Sequence, residues 1–269
     1  MRYRQGSIGF GPKDGALLEI VGTATRITHT QLFEMASLKY IENVRRVFNW
    51  RIERLLQHAM MRKGKVLFRG SDPVYSITRH GIAALASLSI HLVSVYVDSQ
   101  EEEVQHQLQH AVELNSIHLT LLRSGALTFW TPAKFLQALN MMPPYDYAKC
   151  YDAVATLYID GQRIELGVEY EHTMKRPVDR YTPIKARIEE EKRADAIMFV
   201  VPTAPMRSAL WSLMCGLRKE IVIVDARDLS SQGMKADVYL NYFTMTLSEA
   251  FTKIAQKRRL KTVGSGSLR

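Results

Sequence analysis

The chain has little cysteine: two residues in 269, Cys150 and Cys215, with no Cys-x-x-Cys pair and no Cys/His cluster. That scarcity excludes the common structural zinc sites and asks for no oxidising compartment. No apolar stretch approaches the roughly 18 residues of a membrane-spanning helix, and the first residues carry no signal-peptide core. A soluble, cytoplasmic protein is the expectation. Internal repeats are absent as well. Acidic residues are the scarcer charge, 27 Asp and Glu against 36 Lys and Arg, which leaves a net charge of +9. What remains, 46% hydrophobic residues, is enough for a real core and argues against global disorder. The length fits one large domain or two ordinary ones.

The positive charge is unevenly placed. Residues 1–100 carry 14 Lys/Arg against 7 Asp/Glu, residues 101–160 carry 3 against 7, and residues 161–269 carry 19 against 13. A basic front and rear around an acidic middle suit a polyanion bound about a carboxylate site. The plainer alternative is a generally basic surface.

Residues 1–13 read as a Gly-rich arm. An apolar helix is predicted from Leu17 to Ala24, and a second one capped by Thr28 or Thr30. A longer helix is predicted from Glu42 to Met61, with Val44, Val47, Phe48, Ile52, Leu55, Leu56 and Ala59 as its apolar stripe. A two-stranded ribbon follows, Lys65–Phe68 and Val74–Ile77, and Thr78 caps a closing helix through Gly81 to Leu88. Three helices, a ribbon and a helix is the winged helix-turn-helix plan. In that plan Arg45, Arg46 and Asn49, with Arg51 beside them, reach base edges, and Lys63, Lys65 and Arg69 meet phosphates. Winged helices also serve as protein-binding modules, and the same arginines would solvate a bare helix.

From Glu101 the pattern changes. A long helix to Leu122 leads to a strand at Leu127–Trp130 and a helix opened by Thr131-Pro132. Two strands are joined at Asp160-Gly161, a two-residue hairpin signal. A charged helix (178–193), a strand (Ile197–Val201), a helix (207–217), a strand (Ile221–Asp225) and a helix (Leu247–Lys257) complete an α/β sheet with crossovers. The last six residues read as a flexible tail. Trp50, Trp130 and Trp211 read as packing residues, and Lys257-Arg258-Arg259 as a phosphate contact or a solvated segment.

The hairpin carries the chemistry. Asp152 opens its first strand, and Glu169 and Glu171, two apart on the second, share a face. Tyr170 points to the other. Carboxylates that converge at a sheet end call for a divalent cation, and hard oxygen ligands suit Mg²⁺ or Mn²⁺. The bland alternative is a solvated strand face, although Asp152 interrupts a strand that otherwise reads as buried.

Asp152, a hairpin and Glu169-x-Glu171 together resemble the metal site of the PD-(D/E)XK nuclease superfamily. Two departures stand out: Tyr151 replaces the proline and Glu171 replaces the lysine. Glu113 matches the helical glutamate that often joins the metal shell of that superfamily. The order of domains, a winged helix-turn-helix at 1–95 followed by a nuclease-like domain at 96–269, is similar to the replication-relaxation family with its MobC-type relaxases. Pro73–Thr78 leading into Gly81, the His110–Leu122 helix, and Glu169–Thr173 with Lys175 and Arg180-Tyr181 carry that similarity. The resemblance implies metal-dependent, strand-specific nicking of double-stranded DNA at a transfer origin, with relaxosome or coupling proteins as partners. It gives Asp152, Glu169 and Glu171 to the metal, Lys175 to the developing phosphate charge, and either water or Tyr181 to nucleophilic attack, water being preferred. Two alternatives compete: a non-catalytic DNA-binding regulator or relaxosome accessory protein, and a nuclease that cuts both strands. A homodimer would suit a palindromic site, yet nothing demands one over a monomer.

Overall fold

A computed structural model describes residues 10–64, 72–88, 90, 105–140, 147–175 and 178–266. The chain divides into two compact units, residues 1–115 and 116–269.

In the first unit, α1 (Pro12–Ala24) begins earlier than the apolar run predicts, because Pro12 sits at the first helical position after Gly11. Lys13 therefore belongs to a helix and not to an arm. Leu17, Leu18, Ile20 and Val21 bury its inner face. A two-residue strand, β1 (Ile27–Thr28), precedes α2 (His29–Leu38). Thr28 caps α2 reciprocally: Gln31 N donates to Thr28 Oγ1 at 3.2 Å and Thr28 N to Gln31 Oε1 at 3.2 Å.

The next helix, α3 (Arg45–Gln57), is shorter at both ends than its apolar stripe implies. Only Phe48, Ile52 and Leu55 are buried in it. Val44 is the exposed N-cap, Val47 is exposed, and Ala59 has left the helix with φ at 50°. Met61 has moved to a strand, β2 (Met61–Lys63), which pairs with β3 (Val74–Ile77). The ribbon's first arm thus starts four residues before Lys65, and Lys65–Phe68 lie outside the described residues. The sheet order is β1-β3-β2, antiparallel throughout. Thr78 caps α4 (Arg79–Ser87) through Gly81 N at 3.1 Å.

Division of the units falls inside α5 (Gln105–Arg123), twenty residues beyond the expected boundary at 95/96. The front of α5 is held by the first unit: Gln31 Nε2 donates to Val112 O at 2.8 Å and Asn115 Nδ2 to Arg26 O at 2.6 Å.

The second unit is built on β4 (Leu127–Pro132), α6 (Ala133–Leu139), β5 (Ala153–Ile159), β6 (Gln162–Tyr170), α7 (Tyr181–Glu190), β7 (Ala196–Val201), α8 (Ala204–Met214), β8 (Glu220–Asp225), α9 (Ala226–Gln232), β9 (Asp237–Leu240), β10 (Phe243–Thr246) and α10 (Leu247–Gly266). α10 runs through Gly264 to Gly266, where a flexible tail was expected. The seven strands form one mixed sheet, order β10-β9-β8-β7-β6-β5-β4. β6, β7 and β8 are parallel, and every other pair is antiparallel. The parallel strands lie at the centre and bury both faces, hence the unbroken apolar run Ala196–Val201.

One face packs Val154, Ile197, Phe199, Val201, Ile221 and Ile223 against Leu136 of α6, Tyr181 and Ile188 of α7, and Leu210 and Met214 of α8. α10 covers β5 and β6 from the other side. Among the described residues no helix is long and apolar enough to cross a membrane. The fold is thus mixed α and β, as the sequence pattern implies.

Candidate active site

The site grows out of the β5–β6 hairpin. Asp160 and Gly161 occupy its turn with φ of 48° and 77°, the left-handed pair that a two-residue type I′ turn needs. The register that follows pairs Ala153 with Val168, and one further step sets Asp152 opposite Glu169. The hydrogen bond from Tyr170 N to Asp152 Oδ2, 2.8 Å, fixes the aspartate to the end of β6. Glu171 extends β6 by one more backbone bond, its N donating to Val200 O at 3.0 Å. Alternation then places Glu165, Gly167, Glu169 and Glu171 on the face covered by α6, α7 and α8, and Tyr170 on the opposite one.

Tyr151 packs against this face of β6. Its ring lies flat on the backbone of β6 at Gly167, where an added Cβ would come within 2.8 Å of the ring. Its hydroxyl donates to Glu191 Oε2 at 2.9 Å. Glu191 also accepts Ala148 N at 3.0 Å, Arg193 N at 2.7 Å and Ala194 N at 3.0 Å. This buried carboxylate therefore ties the segment before β5 to the loop before β7. Tyr151 thus covers Gly167, the only glycine of β6.

Glu169 and Glu171 are both 8% exposed. Lys149 Nζ lies 2.6 Å from Glu169 Oε2, while Glu169 Oε1 is buried with no hydrogen-bond partner among the described residues. Burial pushes the Glu169 carboxyl up to about 7. Lys149 opposes that rise, and the neighbouring Asp152 and Glu171 charges add to it. Glu171 is gripped through both oxygens by Lys175, four residues on. Lys175 N in turn donates to the Tyr181 hydroxyl at 3.1 Å.

The predicted set separates into groups. Asp152, Glu169, Glu171 and Lys175 come together. Tyr181 is near them at the start of α7, but it is 1% exposed and its hydroxyl is engaged by Lys175 N and Met174 S. Burial raises its pKa, so it is poorly placed to attack a substrate. Glu113 lies on α5 in the first unit, and the site is made of second-unit residues. Lys149 was missed. It stands in the segment leading to β5, three residues before Asp152, and that proximity was the signal available.

As they stand, the carboxylates are drawn onto two ammonium groups. Among the described residues no three His, Cys, Asp or Glu side chains form a group that could hold a metal ion. The donor chemistry nevertheless fits a hard cation, since Glu169 Oε1 is a buried carboxylate oxygen with nothing donated to it.

In the first unit, Arg45, Arg46, Asn49 and Lys63 are exposed. Arg45 stacks on Phe33, 4.6 Å from the ring centroid, and Asn49 Oδ1 bonds His29 Nε2 at 3.0 Å. Arg51 does not face outward. It bonds the buried Asp14 at 3.0 Å and Glu42 at 3.4 Å, so its charge is spent inside the unit. Trp50 is 56% exposed with Arg54 above its ring, not packed in the core. Trp130 stacks on His118 and Trp211 donates to Asn241 O, as packing residues do. Lys257 pairs with Glu220 and Arg258 with Asp195, so neither is a bare tail charge. Lys65 and Arg69 lie outside the described residues. Compared with protein-family models, curated proteins and solved structures, the chain matches none.

Proposed function

We propose that this chain is a metal-dependent DNA endonuclease that nicks one strand at a transfer-origin-like site, in the manner of replication-relaxation proteins and MobC-type relaxases. In this reading the second unit is a PD-(D/E)XK-like nuclease and the first a winged helix-turn-helix. The observation that carries the reading is the meeting of Asp152, Glu169 and Glu171 at one end of a central hairpin, with a buried carboxylate oxygen left unbonded. The first unit supports it through its element order, three helices with β1 between the first two and then the β2–β3 ribbon, with exposed Arg45 and Arg46 on the third helix.

Asp152, Glu169 and Glu171 do not form a metal-holding group while Lys149 and Lys175 grip the two glutamates; released from those lysines, the three carboxylates would hold Mg²⁺ or Mn²⁺. Bound there, the ion supplies the positive charge that polarises a scissile phosphate. The chain's own groups do the rest. Asp152 is oriented by the Tyr170 amide. Glu171 can complete the metal shell or, freed from Lys175, take a proton from an attacking water. Lys149 and Lys175 bring ammonium groups beside the carboxylates that can donate to charge developing on phosphate oxygens. The buried Tyr181 hydroxyl favours water as the nucleophile.

A second reading has its own support. Lys149 and Lys175 already neutralise Glu169 and Glu171, as they would in a DNA-binding regulator or accessory protein whose nuclease fold does no chemistry. The test is a nicking assay on supercoiled plasmid carrying the DNA that flanks this protein's gene, with Mg²⁺, Mn²⁺ or EDTA. Open circles that require metal and vanish in Glu169→Ala and Glu171→Ala are expected. Linear product would move the reading to a nuclease that cuts both strands. Tight binding with no nicking in either metal would leave the regulator.

A further inference from the structure

At the opposite end of the parallel strands from the carboxylates, the second unit holds a cavity of about 70 Å³. One water needs about 10–15 Å³ by this measure, so a phosphate group has room. Its walls come from three places: the residues leading into β7, those leading into β8, and one face of α10. Five cations line it, Lys192, Arg218, Lys219, Lys257 and Arg258, against two carboxylates, Asp195 and Glu220. The surplus is three positive charges.

Both carboxylates are already neutralised, Glu220 by Lys257 and Asp195 by Arg258. Asp195 Oδ2 also accepts Glu165 N at 2.8 Å, which holds it against the sheet. Lys219 Nζ is anchored to Ala194 O at 2.5 Å. Glu189 approaches only the backbone, accepting Arg218 N at 2.6 Å. The Lys192 ammonium and the Arg218 guanidinium make no hydrogen bond or ion pair among the described residues. Like charges crowded around a concave surface repel unless an anion joins them. An arginine beside lysines has the donor geometry that phosphate oxygens accept.

We propose that this cavity binds a phosphate group, with Lys192 and Arg218 as its unengaged donors and Lys219 as its anchored third. The group belongs either to a nucleic-acid backbone or to a small phosphorylated ligand. The proposal does not depend on nicking.

Two measurements on the full chain test it, each with Lys192→Ala/Arg218→Ala. Both residues are exposed, so the variant keeps its fold, and its amide spectrum checks that. In the first, inorganic phosphate is titrated against chloride at matched ionic strength while amide shifts are followed. Saturable shifts at residues 192–195 and 218–220 are expected, and they disappear in the variant. In the second, duplex DNA binding is followed by anisotropy across salt concentrations. Each lost backbone contact lowers the slope of log affinity against log salt by about 0.9, so a fall approaching two is expected if the phosphate comes from DNA. Shifts lost with an unchanged slope assign the site to a small phosphorylated ligand. A reduced slope assigns it to DNA. No saturable phosphate shift together with an unchanged slope overturns the proposal.

Discussion

Replacing Glu169 with Gln isolates the titration of the buried carboxyl at the centre of the site. Burial lifts this carboxyl from 4.5 to about 7, so the folded protein holds the proton more tightly than the unfolded chain does. A raised acid contributes stability that is full below the unfolded value and is lost as pH rises through the folded value. Between those limits the folded state carries one more proton than the unfolded state, and stability falls by about 1.4 kcal/mol per pH unit from this group alone. Over the whole window the loss is about 3 kcal/mol. Glutamine cannot titrate, so Glu169→Gln lacks that slope. The attraction of Lys149 for the ionised carboxylate is already contained in the folded value, so it adds no separate slope. The assay is urea unfolding of both proteins in EDTA from pH 4.5 to 8. The stability of wild type minus variant should fall by about 3 kcal/mol, mostly between pH 5 and 7, and level off above. A difference independent of pH would refute the reasoning, because Lys149 would then outweigh burial and keep the carboxylate ionised throughout. If the site takes a cation, Mn²⁺ at pH 8 should raise the stability of wild type and not of the variant, following mass action.

Lys149→Met should move the midpoint of that pH-dependent loss above 7, because Lys149 is the main group holding the Glu169 carboxyl down; a midpoint that stays put or drops would deny the contact. Gly167→Ala drives a methyl into the Tyr151 ring and should destabilise the protein by about 1–3 kcal/mol in urea unfolding; an unchanged midpoint would mean that the ring does not lie on β6. Arg45→Ala/Arg46→Ala should weaken duplex binding and flatten its salt dependence with little change in stability, as measured by anisotropy and thermal unfolding. Arg51→Ala should do the reverse. It should cost roughly 2 kcal/mol of stability, because the buried Asp14 loses one of its two arginines, and a selective loss of DNA affinity would restore Arg51 to the binding face.

Local chemistry made much of this chain legible without coordinates. Asp160-Gly161 can form only a few tight turns, and a two-residue turn sets the whole register of its hairpin, so Asp152 had to land beside Glu169. Period two put Glu169 and Glu171 on one face and Tyr170 on the other. Thr28 and Thr78 announced their helices because a hydroxyl before an amphipathic run satisfies an otherwise orphaned amide.

What local pattern could not supply was partnership. Val44, Val47 and Trp50 keep helical spacing with buried residues and are nonetheless exposed, since spacing defines a stripe but not its edges. Arg51 and Arg46 read alike in sequence, and only the fold shows that Asp14, 37 residues away along the chain, claims Arg51. The short strands β9 and β10 escaped notice because four residues carry too little periodicity; Asn241, with φ at 49°, turns the chain between them and accepts Ile221 N of β8. The counter-ions follow the same rule. Which lysine meets which carboxylate depends on how loops close over the sheet, and charge attraction acts through space whatever the separation along the chain. The sequence by itself determined that three carboxylates share one end of a hairpin. Tertiary structure alone decided that two of them are buried, that Lys149 and Lys175 hold them, and that one oxygen is left unbonded.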